Sequence, residues 1–149
     1  MKTIYKHTNI IAGDWRALAR FYQDVFGCVA VPPERDLSGA WLAEGTGVKD
    51  ADLSGAHLLL PGHGENGPTL EIYQYNRNEP RSPTAANREG ITHLAFEVED
   101  VARAMSEVLK NGGGKVGDIT SFEVEGVGLL TFVYLSDPEG NIIELQSWK

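Results

Sequence analysis

The segment HTNIIAGDWRALARFYQDVFG, starting at His7, and the segment HLAFEVEDVARAMSEVLKNGGG, starting at His93, follow one plan. In each, a short alternating run ends at an aspartate, and apolar residues at helical spacing follow it. Asp14 leads into Trp15, Leu18, Phe21, Tyr22 and Val25, and Asp100 leads into Val101, Ala104, Met105, Val108 and Leu109. Aspartate is a good helix N-cap because its carboxylate accepts the free N–H groups of the first turn. A glycine run then ends the second helix. His93 lies 86 residues after His7, and Asp100 lies 86 after Asp14, so the histidine precedes the cap by seven residues in both halves. A repeat of this length constrains the fold strongly, because two copies of one strand–helix unit bury their apolar faces in the same way.

Both halves also finish alike. "TLEIYQY" (Thr69 to Tyr75) and "IIELQSW" (Ile142 to Trp148) read as apolar strands, each with a glutamate inside. In the first half "AHLLLP" reads as a strand, "GHGENG" as a hairpin turn, and Cys28 as a small buried residue at a strand start. The stretch from "PPERDLSGAWLAEGTG" to "AHLLLP" is the least regular part of the chain. In the second half "LLTFVYL" is a strand and "SDPEGN" a tight turn leading into "IIEL". Each half therefore reads β-α-β-β-β. Polar, proline-containing "NRNEPRSPTAANREG" between them reads as a linker. The expected organisation is one α+β domain over 1–149, made of a module at 1–75 and a module at 90–149 joined by a linker at 76–89.

Charge and hydropathy exclude several functions. Thirteen basic against twenty-one acidic residues give a net charge of −8, which argues against nucleic acid as a partner, since phosphate binding draws on clustered Lys and Arg. No apolar run approaches the roughly 20 residues of a membrane span, and the N-terminus has no signal-peptide core. The expectation is a cytoplasmic protein with a small-molecule partner and no membrane partner. The single cysteine, Cys28, has no partner for an internal disulfide.

What remains is polar chemistry inside apolar strands. A carboxylate buried without a partner loses several kcal/mol of solvation. Glu71 and Glu144 therefore belong at a wet cleft, beside a cation or on a metal. The pairing with His7 and His93 strengthens the last option, because two related modules each offer a first-strand histidine and a last-strand glutamate. Together they make a mixed nitrogen and oxygen set suited to Zn²⁺, Ni²⁺, Co²⁺, Mn²⁺ or Fe²⁺. His57, in "AHLLL", and His63, in the turn, are weaker candidates for which exposure is expected. Trp41, Tyr73 and Tyr75 are candidates for lining a substrate pocket.

The motifs "HTNIIAGDWRALARFYQDVFG" and "YLSDPEGNIIELQ", the second of the form D-P-x-G-N-x-x-E-L, resemble the vicinal oxygen chelate superfamily of glyoxalase I, methylmalonyl-CoA epimerase, extradiol dioxygenases and bleomycin-resistance proteins. The resemblance covers nearly the whole chain. It implies two βαβββ modules forming an incomplete mixed β-barrel around a divalent metal, with His7, Glu71, His93 and Glu144 as its ligands. The implied function is a metal-dependent lyase or isomerase that chelates vicinal oxygens of a small carbonyl substrate and shifts a proton through an enediolate or enolate. Glu144 is the first choice for the base that the resemblance implies and Glu71 the second catalytic carboxylate, two roles that can be exchanged. The likeness is closest to glyoxalase I and the epimerase in ligand set. It does not imply a glutathione thioether as substrate, since "HTNII" and "EIYQYNRN" lack the arginine and N-W-G found there in glyoxalase I. The alternatives are an extradiol-type dioxygenase and a small-molecule-binding resistance protein. A homodimer is also implied.

Overall fold

Local sequence signals set the elements of each half before packing does. The structure, a computed structural model, describes residues 1–149, and the chain divides into a unit at Met1–Pro80 and a unit at Arg81–Lys149.

In the first unit β1 (His7–Ile11) runs into Asp14, whose carboxylate accepts the Ala17 N–H at 3.0 Å and caps α1 (Trp15–Phe26). Gly27 ends the helix in the left-handed region at φ 67°, a backbone conformation that glycine adopts at least cost. β2 (Val29–Ser38), α2 (Ala40–Thr46), β3 (Asp52–Leu59) and β4 (Thr69–Tyr75) complete the unit. The strands form one mixed sheet in the order β1-β4-β3-β2, with β1 parallel to β4 and the other neighbours antiparallel. α1 packs on β3 and β4. Leu18 and Tyr22 of the helix, with Leu58, Leu70 and Ile72 of the strands, are at most 1% exposed, and each such side chain contributes about 1.5 to 3 kcal/mol by leaving water. The two-residue period of a strand then puts His57, Glu71 and Tyr73 on the opposite face.

The second unit repeats the scheme. β5 (His93–Glu97) leads to Asp100, which accepts the Arg103 N–H at 2.9 Å and caps α3 (Val101–Lys110). β6 (Gly114–Lys115), β7 (Thr120–Val124), β8 (Gly128–Ser136) and β9 (Ile142–Trp148) follow. β5 is parallel to β9, β8 is antiparallel to β9, and β6 and β7 both pair with β8. α3 packs on β8 and β9 over a core of Val101, Val108, Val133, Leu135, Ile143 and Leu145. His93, Tyr134 and Glu144 alternate onto the other face.

Both units are thus βαβββ, with the second strand of the later unit split into β6 and β7. The irregular stretch of the first unit holds α2, a seven-residue helix without a side-chain N-cap. Cys28 is buried just before β2, and burial pushes its thiol up to about 11, so it stays protonated at neutral pH. No helix is long and apolar enough to cross a membrane.

Candidate functional site

Strand register assembles the polar residues. In the first unit, pairing of β1 with β4 sets Asn9 beside Glu71 and His7 beside Thr69, while pairing of β3 with β4 sets His57 opposite Glu71. Three neighbouring strands therefore converge on one carboxylate, which is only 9% exposed. Its Oε2 lies 3.4 Å from His7 Nε2 and accepts from Asn9 Nδ2 at 3.4 Å. Its Oε1 lies 3.0 Å from His57 Nε2 and accepts from the Tyr73 hydroxyl at 3.4 Å. His57 Nε2 is also 2.7 Å from the Tyr73 hydroxyl, and its Nδ1 is 3.2 Å from Thr69 Oγ1. Burial lowers the His57 pKa despite the opposing pull of Glu71, which keeps the ring neutral at pH 7. Burial, and then the Glu71 charge, push the Tyr73 hydroxyl up to about 12, so it remains a donor.

The second unit has a sparser version. Glu144 Oε2 lies 3.1 Å from His93 Nε2, and His93 Nδ1 is 3.0 Å from the Thr92 hydroxyl. Opposite Glu144 stands Tyr134, where the first unit has His57. Its ring centroid is 5.0 Å from that of His93, and Phe132 follows at 5.8 Å. Burial, then the Glu144 charge, raise the Tyr134 pKa. Gln146 takes the place two residues past the glutamate that Tyr73 holds in the first unit.

The donor chemistry fits a divalent cation. An ion bonded to two nitrogen or oxygen donors at about 2.1 Å holds them about 3.0 to 3.4 Å apart at tetrahedral or octahedral angles. The His7–Glu71 and His93–Glu144 separations, 3.4 and 3.1 Å, match that edge. No three of the His, Cys, Asp and Glu side chains form a group arranged to enclose a cation, so the donors come as one pair per unit. His57 spends its Nε2 on the other oxygen of Glu71.

Among the remaining sequence candidates, Tyr73 belongs to the Glu71 network. Tyr75 lines a cavity of about 760 Å³ in the first unit together with Ile11, Val48 and Arg77. Trp41 is 60% exposed on α2 and takes no part in the network. His63 is exposed in its turn. His57 is the correction: the sequence suggests an exposed strand histidine, whereas its side chain is 18% exposed and bonded to Glu71. Asn9, Tyr134 and Phe132 were also missed. Hairpin register finds His57 and Tyr134, since the turns at 60–68 and 137–141 fix which residue of the preceding strand faces each glutamate, whereas Asn9 is set beside Glu71 by the parallel β1–β4 pairing and Phe132 lies two residues before Tyr134 on its face.

Gly55 shows how tightly the first-unit network is built. A Cβ there would lie 2.1 Å from the Ile72 carbonyl oxygen and 2.4 Å from Tyr73 Cδ1. The carbonyl belongs to the sheet and cannot yield, so Gly55→Ala is expected to cost about 2 kcal/mol by overpacking and to displace the Tyr73 ring. Thermal unfolding measures the first effect, and a loss below about 0.5 kcal/mol would contradict this account of Gly55.

A sequence model described as glyoxalase-like domain matches residues 7–146. No curated protein matches the sequence. Among solved structures, a glyoxalase family protein from Bacillus cereus is similar at 18% identity with a TM-score of 0.77, covering 99% of this chain and 94% of that one. A glyoxalase family protein from Enterococcus faecalis is 23% identical with a TM-score of 0.60 over 97% of both chains. A glyoxylase/bleomycin resistance protein/dioxygenase domain from Frankia sp. EAN1pec is 16% identical with a TM-score of 0.61 over 100% of both.

Proposed function

The chain belongs to the glyoxalase-like domain family, and we propose that it is a metal-dependent lyase or isomerase acting on a small carbonyl compound with two neighbouring oxygens. The observation that carries this reading is the duplicated pair, a histidine Nε2 facing a glutamate Oε2 at 3.4 Å in one unit and 3.1 Å in the other. His7, Glu71, His93 and Glu144 hold the ion, which is Ni²⁺, Zn²⁺, Co²⁺, Mn²⁺ or Fe²⁺. When bound, such an ion supplies Lewis-acid stabilisation of the negative charge that develops on a substrate oxygen as an enediolate or enolate forms.

The chain's own residues then divide the work. Glu144 has His93 as its single close polar partner, so its carboxylate is free to turn and take the proton beside the carbonyl. Tyr134 and Phe132 stand next to it and offer aromatic surface to the organic part of the substrate. The same reading has the protein act in the cytoplasm as a homodimer.

The test begins with chelator-stripped protein titrated with each of the five ions. One tightly bound ion per chain is expected, and its loss in a His7→Ala, His93→Ala double variant. Two ions per chain would assign each unit its own ion, and full retention in the double variant would remove these histidines from the site. Solvent-deuterium exchange into 2-oxo thioesters and hemithioacetals then tests the proton shift. Oxygen uptake with Fe²⁺ in place of exchange would turn the reading to a dioxygenase.

A further inference from the structure

The two glutamates are held differently, and the difference lies in residues outside the four proposed ligands. Glu71 has distinct partners on its two oxygens: His7 and Asn9 on Oε2, His57 and Tyr73 on Oε1. Glu144 has His93 on Oε2 and Tyr134 in the place of His57. His57 is itself anchored at its far side, where Nδ1 meets Thr69 Oγ1 at 3.2 Å. All these contacts are satisfied by one proton arrangement. Thr69 O–H donates to Nδ1, Nε2–H of a neutral imidazole donates to the Glu71–Tyr73 oxygens, and Tyr73 O–H donates to Glu71 Oε1. A histidine fixed through its second nitrogen is a rigid donor. Gly55 provides the space that lets Tyr73 close the arrangement, since a side chain there would overlap its ring.

We propose that His57 is a positioning residue: with Tyr73 it holds Oε1 of Glu71, so that Oε2 alone is presented beside His7 and Glu71 acts as a fixed ligand while Glu144 stays mobile. This rests on the metal reading above. The role differs from mere packing because it needs an N–H at the Nε2 position. A side chain that supplies such a donor, as the glutamine amide does, preserves it, and an apolar side chain of similar size does not. Residues that orient a metal ligand in this way typically change metal affinity by about 10- to 100-fold when removed.

The experiment uses the full chain and Co²⁺ alone as the probe, with His57→Leu, His57→Gln, Tyr73→Phe and, as a second-unit control, Tyr134→Phe. Circular dichroism and thermal melts establish that each variant folds. His57→Leu is expected to weaken Co²⁺ binding by about 10- to 100-fold and to alter the visible spectrum of the bound ion. His57→Gln restores both, Tyr73→Phe gives a smaller loss, and Tyr134→Phe leaves affinity nearly unchanged. A second readout needs no metal: long-range proton–nitrogen NMR of the stripped protein should find His57 protonated on Nε2, with that proton's resonance shifted in Glu71→Gln. A folded His57→Leu with wild-type affinity and spectrum, or an Nδ1-protonated His57, would overturn the proposal while leaving the metal reading intact. Wild-type protein that binds no Co²⁺ or any of the other four ions would overturn both.

Discussion

Glu144→Gln should lower turnover by about 10²- to 10⁴-fold, the range that general-base removal gives. The amide keeps an oxygen of the same size near His93, so metal content should fall far less than activity. The decisive contrast is with Glu71→Gln. Glu71 is gripped on both oxygens by His7, Asn9, His57 and Tyr73, an arrangement suited to a constant ligand. Glu144 is held through one oxygen by His93. A base has to approach the substrate carbon and withdraw with the proton, and only the second carboxylate has that freedom. In deuterated water the wild type should therefore wash deuterium into the carbon beside the carbonyl, Glu71→Gln should do so at a reduced rate, and Glu144→Gln should not. Exchange retained in Glu144→Gln and abolished in Glu71→Gln would move the base to the first unit.

How far the sequence led depends on whether a feature is fixed locally or by its neighbours. The N-caps Asp14 and Asp100 were legible because one side chain and the next three residues decide a helix start, and both carboxylates accept the expected N–H. The strands Thr69–Tyr75 and Ile142–Trp148 match their expected bounds because apolar runs with a following break leave little choice. β2 was harder. It carries Pro32 and Pro33 at the sheet edge, where the pairing slips between Val31 and Arg35, and prolines are tolerated at such places. α2 gives no periodic signal, since it has seven residues, buries only Leu42 and ends at Gly47. The histidines were legible from the 86-residue offset they share with the N-caps, and the glutamates from their place inside the last apolar strand of each half. His57 was not, because a strand histidine reads the same whichever face it takes. Only the β3–β4 register sets it against Glu71 rather than against solvent.

Replacing Asp137 by alanine should destabilise the protein by about 3 kcal/mol, a large share of the roughly 5 to 15 kcal/mol that holds a domain folded. Asp137 opens the D-P-E-G-N motif and is 1% exposed. Its Oδ1 accepts the backbone N–H groups of Glu139 and Asn141, each at 2.9 Å, and its Oδ2 accepts the Asn141 side-chain amide. Its own N–H donates to the Asn141 carbonyl at 2.9 Å, and Gly140 returns an N–H to its carbonyl at 3.0 Å. Gly140 sits at φ 85°, which lets the chain reverse into β9. Alanine leaves three donors without their acceptor in a half-buried turn, and each bond to a charged acceptor contributes about 1.5 to 3 kcal/mol, with water recovering part of the sum. For a chain of this size the melting temperature should drop by about 10 °C. Asp137→Asn keeps one oxygen for the two backbone donors but sets an amide against the Asn141 amide, so about half the loss is expected. Thermal melts followed by circular dichroism decide the matter. A loss below about 1 kcal/mol in the alanine variant, or equal losses in both, would show that the carboxylate does not hold this turn. The position of Glu144 depends on it, because the turn sets the β8–β9 register that brings Tyr134 opposite the glutamate, and a loosened turn lets that register slip.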